Sequence, residues 1–155
     1  MPRTRAPLAA PAIFEYAVLG RPVSAQPRSG GRRKDPHLER WREAIRKAID
    51  LEMDARGFEL HVVPMRAQIV WFTPNPEDST GPDLDNIAKP FLDGLEGKVI
   101  AEDRIFHEVH LRKVDINHQF VPEPLLVLSA RASDVTEFVY VRVERLEWRQ
   151  PTRLD

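Results

Sequence analysis

Apolar and polar positions alternate from Ile13 to Leu19, with Phe14, Tyr16 and Val18 on one face, and this period of two predicts a strand. The period changes after Asp35-Pro36. Leu38, Trp41, Ile45, Ala48, Ile49 and Met53 recur at helical spacing as far as Gly57, with Asp35 placed as the N-cap and proline in the first turn, where its missing N–H is not needed. Trp41 falls on the apolar stripe and reads as core rather than as a base-stacking platform. Met65, Ala67, Ile69 and Trp71 alternate again to Phe72, and Thr73-Pro74-Asn75-Pro76 ends this second strand. Phe106 to Ile116 reads as a polar third strand, and Phe138 to Leu146 as another, with Val139, Val141 and Val143 on one side. Between these two lies the apolar run Pro122 to Ala130, too short for periodicity to separate a buried strand from a helix; the Pro-Glu-Pro opening favours a helix. The order is βαβαβ(α)β, which predicts one α+β domain with a mixed β-sheet and packed helices.

Length and composition agree with a single domain, here placed at 13–148. A chain of 155 residues with 42% hydrophobic content buries a core without covalent staples. Residues 1–12, with Arg3 and Arg5 and a short proline-interrupted apolar stretch, read as a disordered leader, and 149–155 as a flexible tail. No segment approaches the run of about 18 apolar residues that spans a bilayer, so no membrane association is expected. The absence of cysteine excludes disulfides and thiolate zinc sites and fits a cytoplasmic location.

The chemistry concentrates between Gly81 and Asp103. Asp83 and Asp85 are two apart, so on an extended run both carboxylates would project the same way as a clamp. Asp85 is also placed to cap a helix through Asn86, Ile87 and Ala88, leaving Lys89 and Asp93 on one face, with Pro90 bending its first turn. After Leu95 a Glu96-Gly97-Lys98 turn returns the chain to Glu102-Asp103, a source of a third ligand. Converging carboxylates repel one another unless a cation sits among them, and oxygen donors suit Mg²⁺, or Mn²⁺ in its place. Lys89 supplies a positive charge for a phosphate oxygen. Each fragment alone is ordinary: a lone D-x-D is usually a solvated turn, and Lys89 with Asp93 is a surface ion pair. Their order along the chain raises them to a metal site for phosphoryl chemistry. His107-Glu108-Val109-His110 falls one residue short of a zinc-protease motif and reads as strand surface.

Net charge is only −1, yet it is unevenly spread. Nine basic residues face three acidic ones between Arg21 and Lys47, and nine acidic face three basic ones between Glu77 and Glu108. A basic surface beside an acidic, metal-neutralised pocket suits a nuclease. The loop from Arg21 to Lys34 is punctuated by Pro and Gly, so Arg28, Arg32, Arg33 and Lys34 are the candidate DNA contacts.

The run PDLDNIAKPFLDGLEGKVIAEDRI, residues 82–105, resembles the signature of the RusA family of Holliday junction resolvases. The resemblance implies a RusA-like fold and an Mg²⁺-dependent endodeoxyribonuclease that acts as a homodimer on four-way DNA junctions in recombination and repair. The catalytic acids correspond to Asp83, Asp85 and Asp103, and the catalytic lysine to Lys89; Glu102 stands where the family commonly has Asp and is a further metal candidate. Asn86 and Asp93 are expected to orient the ligands from behind. The homodimer also follows from arithmetic, since one acidic constellation per chain must make two cuts; the polar strand 106–116 offers a pairing edge. The alternatives are a metal-dependent nuclease for other branched DNA and a noncatalytic DNA-binding protein.

Overall fold

The computed structural model describes residues 12–25, 35–57, 59–117 and 137–146. Its strands are β1 (Ala12–Leu19), β2 (Met65–Thr73), β3 (Phe106–Asp115) and β4 (Phe138–Arg145); its helices are α1 (Pro36–Arg56) and α2 (Ala88–Leu95). The strands form one sheet in the order β1-β4-β2-β3. β4 runs antiparallel to both β1 and β2, whereas β2 and β3 are parallel and are joined through α2. The α+β class and the mixed sheet are therefore as the periodicities indicate, with each strand boundary within a residue of its expected place. The leader, the tail and the run from Pro122 to Ala130 lie outside the described residues. No described helix is long and apolar enough to cross a membrane.

Period-two alternation decides which side chains meet the helices. Phe14, Tyr16 and Val18 of β1, Ile69 and Trp71 of β2, and Val139, Val141 and Val143 of β4 form one core with Trp41, Ile45, Ala48 and Ile49 of α1 and Phe91 and Leu95 of α2. Ala17, Val70, Phe72, Val114, Phe138 and Tyr140 form a second apolar cluster from the alternate positions. This explains why β2 alternates at its start and is continuously buried toward its end. The same alternate positions carry a charged network farther along the strands. Glu144, 1% exposed, accepts from Arg66 at 3.2 Å, Gln68 at 2.7 Å and Arg142 at 2.7 Å. Arg142 and the Tyr140 hydroxyl also donate to Glu15, at 2.8 and 2.9 Å. A buried carboxylate is tolerable only with such compensation. Burial pushes the Tyr140 hydroxyl up to about 12.

Helix α1 starts as its sequence requires: the Asp35 side chain accepts the His37 N–H at 2.9 Å with Pro36 in the first turn, and Gly57, at φ 83°, closes the other end. Helix α2 departs from expectation. Asp85 does not cap it; Leu84–Asn86 form a 3₁₀ turn, and the helix begins at Ala88 without a side-chain cap. Pro90 is the reason. A helix running continuously from Asn86 would set the proline ring against the Asn86 carbonyl and leave that carbonyl without its donor. Starting at Ala88 places Pro90 in the first turn, where no N–H is required, and the Asn86 carbonyl takes the Ala25 N–H instead, at 3.1 Å.

Two close approaches fix α2 against the rest. The buried Tyr16 hydroxyl donates to the Phe91 carbonyl at 3.0 Å. A Cβ on Gly94 would stand 2.8 Å from Ile45 Cγ2 and 3.0 Å from Ile49 Cδ1, so glycine lets α1 and α2 touch. Gly94→Ala gains about 1 kcal/mol of helix propensity but forces a β-branched side chain to move, an overpacking cost of about 1–3 kcal/mol. Urea unfolding should therefore show a net loss of stability; a variant more stable than the parent would mean that the helices do not abut here.

Candidate active site

The acidic segment leaves the end of β2 through a braced loop. Asp78 organises it: Oδ1 accepts the Thr80 N–H at 2.8 Å and the Thr80 hydroxyl at 2.7 Å, and Oδ2 accepts Arg21 at 2.9 Å. These bonds, from Thr80 first and Arg21 after it, hold the Asp78 carboxyl down to about 2. The chain then reaches Asp83, extended at φ −65° and ψ 145°, and curls at once into the 3₁₀ turn, with the Asn86 N–H bonded to the Asp83 carbonyl at 3.0 Å. Asp83 and Asp85 therefore do not share the extended run from which their spacing was read: Asp83 is extended, whereas Asp85 sits inside the 3₁₀ turn. Both are exposed, and neither carboxylate has a hydrogen bond or ion pair among the described residues. The turn that carries them packs against β3 and α2.

Helix α2 delivers the next groups. Lys89 Nζ lies 3.1 Å from Asp93 Oδ1, one turn further on, as their i, i+4 spacing requires. Past Leu95, Gly97 takes φ 76°, a left-handed angle that suits glycine, and its N–H bonds the Ile100 carbonyl at 2.8 Å. The returning strand of this turn is fixed by His61, whose N–H bonds the Val99 carbonyl at 2.8 Å and whose carbonyl accepts the Ala101 N–H at 3.0 Å. The reversal brings the 3₁₀ turn Asp103–Ile105 onto α2.

Asp93, Glu96 and Asp103 meet there, each offering a carboxylate oxygen, all within 4.8 Å of one another. Like charges this close repel, and the C-terminal end of α2 adds its own negative dipole; a divalent cation relieves both. The donors are all carboxylates, with no imidazole or thiolate in the group, which fits a hard cation of the Mg²⁺ or Mn²⁺ kind. Of the acids singled out from sequence, Asp103 and Asp93 belong to this group, while Asp83, Asp85 and Glu102 lie outside it. Glu102 is bonded to Arg104 at 2.8 Å and raises the Arg104 pKa. Glu96 was not anticipated, although its i, i+3 relation to Asp93 at a helix end was a signal for it. Arg21 and Asp78 were also missed as parts of the loop's architecture. His107 and His110 are exposed on β3, as expected. Arg28, Arg32, Arg33 and Lys34 lie outside the described residues.

Comparison with known proteins adds one decisive finding. A search of curated proteins finds no match to the chain. The family profile described as Endodeoxyribonuclease RusA, however, matches residues 20–119. That span holds α1, β2, α2, β3 and both acid-bearing turns, so the resemblance seen in residues 82–105 extends over most of the described fold. Membership in a nuclease family also removes the noncatalytic alternative. The chain belongs to the RusA endodeoxyribonuclease family and is a Holliday junction resolvase, an enzyme that hydrolyses branched DNA.

Proposed function

We propose that this enzyme resolves four-way junctions by Mg²⁺-dependent hydrolysis of two phosphodiesters, one in each of two strands, as a twofold homodimer serving DNA recombination and repair in the cytoplasm. The observation that carries the reading is the convergence of Asp93, Glu96 and Asp103 at one end of α2, in a RusA-family chain whose other end of α2 adjoins the turn bearing Asp83 and Asp85.

Asp83, Asp85 and Asp103 are assigned as the carboxylates that hold the metal on the strength of the family resemblance of the acidic run; none of the three is engaged by a cation among the described residues, and Asp103 also belongs to the group with Asp93 and Glu96. Asp93 and Glu102 already face Lys89 and Arg104, which suits them to orient and extend the oxygen shell, with Glu96 beside them. Bound Mg²⁺, or Mn²⁺ in its place, supplies an activated water and charge stabilisation for the phosphoryl oxygens. Lys89, with 67% of its side chain exposed, presents its ammonium where a phosphate would arrive, and Asp93 keeps it oriented until then. Asn86, the last residue of the acidic turn, is assigned as a further orienting group. Arg28, Arg32, Arg33 and Lys34 are assigned to the flanking DNA strands. One acidic set per chain and two required cuts favour two chains acting together, matching the junction's own twofold symmetry. Strand β3, at an edge of the described sheet, is the pairing edge in this reading.

Three outcomes follow from this assignment. Asp85→Asn should keep junction binding and lose cleavage by about a hundredfold or more, because a neutral amide is a poor replacement for a metal-binding carboxylate; gel assays on a labelled four-way junction with Mg²⁺ measure both, and near-normal cleavage would remove Asp85 from the site. Replacing Arg32, Arg33 and Lys34 with Ala should flatten the slope of log affinity against log salt by about 0.9 for each duplex-arm phosphate that the protein no longer neutralises. An unchanged slope would show that this loop does not touch DNA. Heterodimers of wild-type and Asp85→Asn chains should nick a cruciform plasmid in one strand only, whereas paired cutting by a species that sediments as a monomer would exclude the dimer mechanism.

A further inference from the structure

We propose that Arg21 is a positioning residue: it braces the loop ahead of Asp83 so that Asp83 and Asp85 are presented to the divalent cation in one arrangement. The proposal rests on the metal-dependent reading above and adds a residue outside the acidic segment. Arg21 follows β1, distant in sequence, yet three contacts bind it to this loop. Its Nη2 donates to Asp78 Oδ2 at 2.9 Å. Its guanidinium carbon lies 5.9 Å from the centre of the Trp71 ring, which is 1% exposed and whose indole N–H donates to Glu137 at 2.8 Å. Its tip also fills the space beside Gly81, where a Cβ would stand 2.6 Å from Nη2.

The other end of the acidic turn is tied to the same stretch of chain. Ala25 donates its N–H to the Asn86 carbonyl, the one that Pro90 leaves without a helical donor. The segment from Arg21 to Ala25 thus grips the loop on both sides of Asp83 and Asp85, at Asp78 and Gly81 before them and at Asn86 after them. Arginine suits the first grip because a planar guanidinium can lie against an indole while donating in its own plane to a carboxylate; an ammonium has no such plane. An ion pair with 40% and 27% of its side chains exposed contributes little to global stability, so its consequence is local order at the loop. Groups that hold ligands in place from behind govern metal affinity in this way.

The test uses the full chain with Arg21→Ala, Gly81→Ala and the double variant. Gly81 does not have positive φ, so alanine fits its backbone, and the added methyl displaces only the far end of Arg21. Mn²⁺ binding to DNA-free protein is read by electron paramagnetic resonance of the free ion. The Mg²⁺ concentration for half-maximal junction cleavage and the junction Kd without divalent ions are measured alongside. Each single variant should weaken Mn²⁺ binding and raise the Mg²⁺ requirement by about tenfold while leaving the junction Kd unchanged. The double variant should be no worse than Arg21→Ala, since both changes break the same interaction. Should Arg21→Ala fail to fold, Gly81→Ala carries the test alone. Unaltered Mn²⁺ and Mg²⁺ responses in a folded variant overturn the proposal, as does a weakened junction Kd with intact Mn²⁺ binding, which would make Arg21 a phosphate ligand. Asp85→Asn separates the two levels: if it loses Mn²⁺ binding while the Arg21 and Gly81 variants retain it, only the positioning role falls; if it binds Mn²⁺ normally, the metal assignment falls and the positioning role with it.

Discussion

Parallel pairing of β2 with β3 is the constraint on which the site depends. Two parallel neighbours cannot be joined by a tight turn, so the chain leaving Thr73 must travel back along the sheet before Phe106 can pair with Met65. That return carries α2 and, around it, every acid of the candidate site. The core then fixes where each acid comes to rest. Phe91 and Leu95 anchor α2 in the apolar layer, Gly94 lets it touch α1, and Tyr16 bonds its backbone. The acids are held at the two ends of a short helix that has little freedom to shift.

Pro90 refines this arrangement. By barring a helix start at Asn86, it creates the 3₁₀ turn that carries Asp85 and frees a backbone carbonyl for Ala25. A residue usually regarded as a helix breaker thereby determines both the shape of the acidic turn and its attachment to the segment after β1. Gly97 does the corresponding work at the far end, where its left-handed angle turns the chain so that Asp103 lies against α2.

The carboxylates of this protein serve two different ends, and their surroundings decide which. Glu144 and Glu15 accept hydrogen bonds from arginines, a glutamine and a tyrosine, and so lock the strands together in a compensated network. Asp93, Glu96 and Asp103 crowd together at a helix C-terminus, and among the described residues Lys89 alone pairs with them. The first set is satisfied by the fold; the second keeps a mutual repulsion that a divalent cation would relieve, in a place open to solvent that suits a nuclease site.

Much of this was written in local sequence. The strands, α1 with its Asp35 cap and Gly57 stop, and the Lys89–Asp93 pair follow from spacing and from residue chemistry that act over a few positions. So did the family, because the acidic run from Pro82 to Ile105 keeps its residue order in one stretch of chain. Local spacing failed at the extended backbone expected for Asp83–Asp85 and at the expected Asp85 cap, because the steric demand of Pro90 on Asn86 outweighs a capping preference. Glu96, the Arg21 brace and the Glu144 network stayed hidden for a more general reason. Each depends on residues brought together from separate elements, and such distances are set only when the sheet pairs and the helices pack. The sequence by itself determined which segments form and what chemistry the acidic run carries; tertiary structure alone decided which carboxylates meet, because repulsion and metal affinity depend on separation in space rather than along the chain.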